Sequence, residues 1–367
     1  MNFTITREAL LKPLQLVAGV VERRQTLPVL SNVLLQVNGD QLSLTGTDLE
    51  VELVGHATLL EPGVNGEITV PAKKLMDICK SLPEQSAIRF TQEEHRVIVQ
   101  TGRSRFTLSS LPANEFPNVD HVEANVTLNL QQGQLRRVID RTAFAMAQQD
   151  VRYYLNGMLL EVKAESLRAV ATDGHRLATC ALAVNLEVEG KTQVIVPRKA
   201  VLEISKLMMD PQAQVELSLA NNHIRVNVGE FTFTSKLVDG KFPDYERVIP
   251  RNGNKVVIAE RNALRQVFAR TAILSNEKYR GVRLILEDNN LQVIANNPEQ
   301  EQAEEALGVD YTGDSLEVGF NVSYLQDVMS VLDSDDVKIT LADPNSSALI
   351  EEAGSGDALY VVMPMRL

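Results

Sequence analysis

Apolar residues recur at helical spacing in short blocks, as at Leu10, Leu14 and Val17 and again at Leu75, Ile78 and Cys79. Each block predicts a short helix with one buried stripe. Thr6 stands at a capping position, and Pro71 and Pro197 stand near first turns. Between the helices the pattern switches to alternation. The stretch NVLLQVNGDQLSLTGTDLEVEL predicts a hairpin with Asn38-Gly39 at its tight turn, and VELSLANNHIRVNV and VRLILEDNNLQVIANN predict others. Loops such as EPGVNG (61–66) and DYTGDS (310–315) separate the blocks. The fold class is α+β, with antiparallel sheets carrying helices on one face.

The blocks come round three times. SRFTLSSLPANEFPNV (104–119) returns as EFTFTSKLVDGKFPDY (230–245), which sets Phe116-Pro117 and Phe242-Pro243 126 residues apart. A third copy, DALYVVMPMRL (357–367), sets Met363 126 residues past Leu237. ITVPAKKLMDICKSL (68–82) returns as VIVPRKAVLEISKLM (194–208) and more faintly as VGFNVSYLQDVMSVL (318–332). ALLKPLQLVAGVV, QLRRVIDRTAFAM and NALRQVFARTAIL open the three copies. Ordered blocks kept in step over a whole chain mean a tandem repeat of one domain. The predicted domains are 1–124, 125–253 and 254–367, each of ordinary domain size.

Composition narrows the class. Of 367 residues, 44% are hydrophobic and 23% charged, as in a soluble globular protein. The start MNFTITREALLK carries charge where a secretory leader needs an apolar run, and no stretch approaches a membrane span. Cys79 and Cys180 lie in different repeats without a CxxC pattern, so a reducing cytoplasm is expected, with no disulfide, zinc site or other cofactor. The net charge of −12 alone argues against a phosphate-rich partner. Its distribution reverses that argument. The six predicted helices sum to +8, which leaves −20 elsewhere. Basic helices on an acidic body suit a surface that attracts a polyanion inside a shell that repels it.

Geometry sets the copy number. A domain of about 122 residues is roughly 35 Å across. Three in a closed ring leave a hole of ~5 Å and six leave ~35 Å, against the roughly 20 Å of a DNA duplex. One chain cannot surround DNA; two can.

The repeats, the TDGHRL turn (172–177), SNEKYRGVRL (275–284), ANNPEQEQAEE (295–305) and the VMPMRL tail together resemble the bacterial sliding clamps, the beta subunits of DNA polymerase III. The resemblance covers the whole chain. It implies a homodimeric, six-domain ring that encircles double-stranded DNA without reading sequence, has no catalytic activity, and tethers the replicative polymerase, the clamp loader, other polymerases and repair proteins. It further implies DNA contacts at Arg24, Lys73, Gln149, Tyr153 and Tyr154. On a strand, consecutive tyrosines would face opposite ways, one into the core and one toward DNA. A partner-peptide groove is implied at Leu155, Thr172, Gly174, His175, Arg176, Leu177, Pro243, Val248, Val361 and Met363. An adjoining subsite would hold Arg152, Asn321, Tyr324, Ser347, Pro364, Met365 and Arg366, with Asn345 standing where the family can carry an aliphatic residue.

The subunit boundary is legible in charge as well. Arg96, Arg103 and Arg105 cluster in the first repeat, and Glu299, Glu301, Glu304 and Glu305 in the third, as head-to-tail closure requires. The resemblance adds Phe106 and Leu108 of one chain against Ile273 and Leu274 of the other.

Two other function classes compete. An enzyme would use Asp173 and His175 as an acid–base pair. The equivalent turns read Thr47-Asp48-Leu49 and Asn296-Asn297-Pro298, so a recurring Asp or Asn there is explained by local backbone bonding. Asp333-Ser334-Asp335-Asp336 opens like a calcium loop, but the twelfth position is Pro344. The remaining class is a repeat scaffold that binds peptides without encircling DNA.

Overall fold

The computed structural model describes residues 1–21, 27–117, 123–186, 188–354 and 356–366. Among them six α-helices alternate with antiparallel strands: α1 (Arg7–Val20), α2 (Ala72–Ser81), α3 (Gln132–Thr142), α4 (Arg198–Leu207), α5 (Arg261–Thr271) and α6 (Val322–Val331). Thr6 caps α1, its Oγ1 accepting from Ala9 N at 3.2 Å, and the helix buries Leu10, Leu14 and Val17 as their spacing predicts. Each such buried side chain contributes about 1.5–3 kcal/mol. Pro71 and Pro197 close strands rather than open helices, each in the last strand position before α2 or α4. The first hairpin turns on Gly39-Asp40, because Asn38 already pairs with Gln41, and Gly39 takes the left-handed φ of +63° that the turn needs. No helix among the described residues is long and apolar enough to cross a membrane.

The chain forms two compact units. The first comprises Met1–Leu135 and Leu202–Leu237. It holds a four-stranded sheet in the order Asn2–Thr6, Ala87–Glu93, Arg96–Thr101, Ser104–Ser109. Its second sheet has eight strands: Gly66–Pro71, Asn32–Asn38, Gln41–Thr47, Val51–Thr58, Phe231–Lys236, His223–Val228, Gln214–Leu219 and Val126–Gln131. The second unit comprises Arg136–Val201 and Val238–Leu367. Its eight-stranded sheet runs Lys191–Pro197, Gly157–Lys163, Ser166–Thr172, Arg176–Ala183, Ala358–Val362, Ala348–Glu352, Asp336–Leu341, Lys255–Glu260. A four-stranded sheet follows in the order Gln302–Gly308, Asn290–Asn296, Gly281–Glu287, Leu316–Asn321.

Each long sheet is therefore two four-stranded halves joined by one strand pair. The third strand of one repeat's first half pairs with the last strand of the next repeat's second half. This is why the second repeat contributes to both compact units.

The repeat distance along these strands differs by one residue from the distance read in the sequence. The hairpins close on Gly102 and Gly229, so Phe106 is equivalent to Phe233, not to Thr232. Likewise Met363 N donates to His175 O at 2.9 Å just as Lys236 N donates to Glu50 O at 2.9 Å, so Met363 matches Lys236. The last strand of each repeat steps by 127 residues, whereas the loops that carry the buried Phe116 and Phe242 step by 126. The residue matters, because a slip of one moves every side chain to the opposite sheet face. The corrected step puts Phe106 in line with Phe233 and Tyr360, both fully buried.

Part of the helix charge serves the fold. In the second unit Arg141 of α3 is 5% exposed and donates to Glu352 at 2.7 Å, to Asp333 at 2.5 Å and to the Val331 carbonyl. Arg137 donates to Asp357 at 2.8 Å, and Arg270 of α5 binds Glu305.

Candidate functional site: an apolar groove and two unpaired sheet edges

The second unit carries a cavity of about 230 Å³. Its base is the apolar cluster of Leu159, Val170, Leu177, Ile195, Phe242, Tyr245 and Val361, with Tyr154 packed against it. Of the residues expected in a groove, the structure brings Arg152, Leu155, Thr172, Gly174, Arg176, Leu177, Pro243, Val248, Val361 and Met363 to the lining. Tyr154, Asp244 and Tyr245 line it as well. The repeated Phe-Pro-x-x segment (242–245) was the sequence signal for the last two.

The TDGHRL turn builds one wall. Asp173 Oδ1 accepts from His175 N at 2.9 Å and Arg176 N at 3.0 Å, and Thr172 Oγ1 donates to Arg176 O at 2.6 Å. The first repeat has the same bonds, from Glu50 N and Val51 N to Asp48. In the third, Asn297 Oδ1 accepts from Glu301 N at 2.9 Å. The acidic residue of this turn thus holds backbone, and its other oxygen binds Arg176 Nε at 3.1 Å, which leaves no acid–base pairing with His175. Arg176 is held further by Asp327 and the Phe144 carbonyl, and its guanidinium lies 4.5 Å from the Tyr324 ring centroid.

Arg152 covers the other side of the turn. Its guanidinium binds Asp150 through two bonds of 3.0 and 2.8 Å and reaches the Asp173 carbonyl at 3.2 Å. These bonds hold the Asp150 carboxyl down at about 2. Gly174 makes the approach possible: at φ +88°, a Cβ would sit 2.9 Å from an Arg152 nitrogen.

Seven expected residues lie outside this lining. His175 is exposed, 6.4 Å from Tyr324 between ring centroids. Asn321 caps α6, accepting from Ser323 N, and Tyr324 stacks on Arg176. Ser347 and Pro364 are half-buried, and Asn345 is exposed. Met365 N donates to Gly319 O at 2.7 Å and, with Arg366, lines a separate hollow.

The four-stranded sheet of each unit also has, among its edges, one that carries charge. In the first unit it is Ser104–Ser109, where Arg103 and Arg105 are exposed and Arg96 stands on the adjoining strand. Phe106 is half-buried and Leu108 buried beside them. In the second unit it is Gln302–Gly308, with Glu299, Glu301 and Glu304 exposed and Glu305 half-buried. Ile273, 75% exposed, and half-buried Leu274 sit in a single 3-10 turn after α5. One edge is basic and the other acidic, each with apolar residues at hand.

The residues expected at DNA divide. Lys73 is exposed on α2 beside Lys74. Gln149 is exposed at φ +57°. Tyr153 and Tyr154 occupy a 3-10 turn, not a strand, yet they do part company: Tyr153 is 57% exposed and Tyr154 lines the groove. Arg24 lies outside the described residues.

The whole chain matches known proteins. Residues 1–120, 129–244 and 246–366 match the N-terminal, central and C-terminal domains of the DNA polymerase III beta subunit. It is 65% identical to the beta sliding clamp of Pseudomonas putida and 53% identical to that of Escherichia coli, each over all of both chains. The solved Pseudomonas aeruginosa sliding clamp bound to griselimycin superposes with a TM-score of 0.97 at 63% identity over both full chains. The corresponding Bartonella birtlesii structure gives 0.97 at 38% identity. Three tandem clamp domains, mixed α and β, make up this chain, and it belongs to the family of bacterial sliding clamps, the DNA polymerase III beta subunits.

Proposed function

We propose that two copies of this chain join head to tail through their unpaired edge strands and close six domains, bounded near 124/125 and 253/254, around duplex DNA. As a member of its family the chain is a replication sliding clamp, a processivity subunit without catalysis of its own.

The observation that carries the closure is the register at the two joints already inside the chain. Leu53 faces Phe233 across the first, and Ala178 faces Tyr360 across the second. The equivalent of Leu53 and Ala178 in the third repeat is Ala303, because Thr47–Glu52, Thr172–Leu177 and Asn296–Gln302 are matching pairs. The equivalent of Phe233 and Tyr360 is Phe106. Pairing Ala303 with Phe106 of a second copy sets Glu304 opposite Arg105. Complementary charges then meet in the only register the repeat allows.

Within the ring, Lys73, Gln149 and Tyr153 supply sequence-blind contacts to DNA, and Arg24 is proposed with them from the resemblance. Lys73 offers a point charge rather than an arginine fork, which suits contacts that must break as the ring slides. The groove takes short peptides from the replicative polymerase, the clamp loader and other polymerases and repair proteins in the cytoplasm. Its Leu, Val and Met walls accept Leu- or Phe-like anchors, each contributing about 1.5–3 kcal/mol. Two or three anchors give roughly micromolar affinity, weak enough for exchange. His175, Tyr324 and Pro364 extend the groove toward Asn321 and Ser347, while Met365 and Arg366 line the separate hollow.

The experiment is retention on nicked circular DNA, with a loader and ATP, before and after linearisation. A topological link survives high salt on the circle and is lost when the DNA is cut. Equal loss from both forms would favour the peptide scaffold.

A further inference from the structure

Beside the C-terminal segment lies a second hollow, of about 340 Å³, lined by Asn276, Tyr279, Gly281, Asn296, Met365 and Arg366. Its place in the repeat is informative. Arg198 N donates to Asn156 O at 3.0 Å, and Val322 N donates to Arg280 O at 2.8 Å, so Asn156 and Arg280 are equivalent. Tyr279 therefore falls on Leu155. Leu159 pairs with Val170 as Arg283 pairs with Ile294, so Asn296 falls on Thr172. Leu155 and Thr172 line the groove, and the hollow is the groove's counterpart one repeat later.

The groove owes a further wall to the next repeat's last strand, through Val361 and Met363. For the third repeat the proposed head-to-tail partner supplies that strand. By the register derived above, the equivalents are Thr107 and Ser109 of a second copy, both exposed on the free edge. The hollow is incomplete in one chain and acquires its missing wall on closure.

Its chemistry is inverted relative to the groove. Leucine, valine and methionine are replaced by tyrosine, threonine and serine, and the Asn296 carboxamide is exposed. Arg366 is exposed and forms no ion pair among the described residues. Tyr279 and Met365 leave an apolar anchor some surface, but only an anion gains from Arg366. A carboxylate does, because a guanidinium binds it through two parallel bonds while carboxamides and hydroxyls satisfy an adjoining peptide backbone. Arg105 of the second copy offsets Glu304 on the same sheet face, while exposed Glu299 and Glu301 remain, so Arg366 must outweigh them at close range.

We propose that this hollow, completed by the edge strand of the second copy, is a distinct binding site for an acidic peptide segment, held by a carboxylate on Arg366. The proposal rests on the head-to-tail dimer. The probe is fluorescein-labelled hexaglutamate, titrated by anisotropy, with sedimentation of the same samples. The dimer should bind it. Arg366→Gln and Asn296→Asp should each weaken binding by about tenfold or more, as for loss of a charged hydrogen bond. Lys73→Gln, in the other compact unit, should leave it within about twofold, and a Phe106→Ala monomer should not bind. Absence of a wild-type dimer sinks the ring reading and the composite site together. A dimer that ignores the peptide, binds it through Lys73, or binds it equally as a monomer overturns the second site alone.

Discussion

Reversing one charge on each edge tests the register directly. Arg105 and Glu304 are exposed on the free chain, and the proposed closure would set them opposite one another in each of two interfaces. An opposed pair on antiparallel strands contributes about 0.2–1 kcal/mol, and a like pair costs a similar amount. Arg105→Glu turns attraction into repulsion at both interfaces, a change of about 1–4 kcal/mol, or roughly 5- to 900-fold in the dimer Kd. Glu304→Arg should do the same. Mixing the two variants is the decisive step. In the mixed dimer one interface sets the introduced glutamate opposite the introduced arginine, and the other keeps the parental Arg105 opposite Glu304. Dimers should therefore return in sedimentation, and only as heterodimers. The rescue should fade with salt, since the pairs are rim charges. If each variant dimerises like the parent, or if the mixture stays monomeric, the register carried over from the internal joints is wrong.

Three further outcomes follow from the second unit. Replacing Arg141 with Met strands buried Glu352, and thermal or denaturant unfolding should show a loss of about 3–5 kcal/mol. Burial pushes the Glu352 carboxyl up, but the Asp333 N–H and Arg141 outweigh it and hold it below its ordinary 4.5. That stability is present above pH 4.5 and is lost as pH falls through the depressed folded value, so the parent should weaken in acid while Arg141→Met recovers part of its deficit there. Gly174→Ala forces an L side chain to φ +88° and into Arg152, costing about 1–2 kcal/mol in backbone strain and weakening groove-peptide binding, measurable by calorimetry. Deleting residues 363–367 should abolish polymerase-peptide binding in a pull-down while sedimentation still reports a dimer; monomers would make the tail structural.

Helices and hairpins were legible because their periods differ and because each block occurs three times. The groove was legible only through resemblance. Nothing in Leu155, Leu177 or Val361 distinguishes a groove lining from core, and the pairing that sets Leu177 beside Val361 joins strands far apart in sequence. Tyr154 shows the limit well. The resemblance set both tyrosines at DNA and strand alternation turned one of them inward; a 3-10 turn does the parting instead, with the Tyr154 ring against the groove cluster and Tyr153 exposed. The one-residue step in the strands was hidden because Phe-Pro, the strongest landmark, lies in the loops, where a residue is lost without disturbing the ladder. The hairpin closures at Gly102 and Gly229 and the hydrogen bonds of Met363 and Lys236 reveal it.

The sign separation between helices and body needs the same care. Counted along the sequence, every helix cation is available to a polyanion. In the fold Arg141 is buried among carboxylates, and Arg137 and Arg270 are tied to Asp357 and Glu305. Those charges stabilise the sheets' attachment to their helices and cannot also face DNA at full strength. Exposed Lys12 on α1, Lys73, Lys74 and Lys80 on α2 and Arg265 on α5 are among what remains. A small number of free cations is what a sliding contact requires. Each phosphate neutralised adds about one unit to the salt dependence of binding, and a ring held by topology gains nothing from a grip strong enough to stop it.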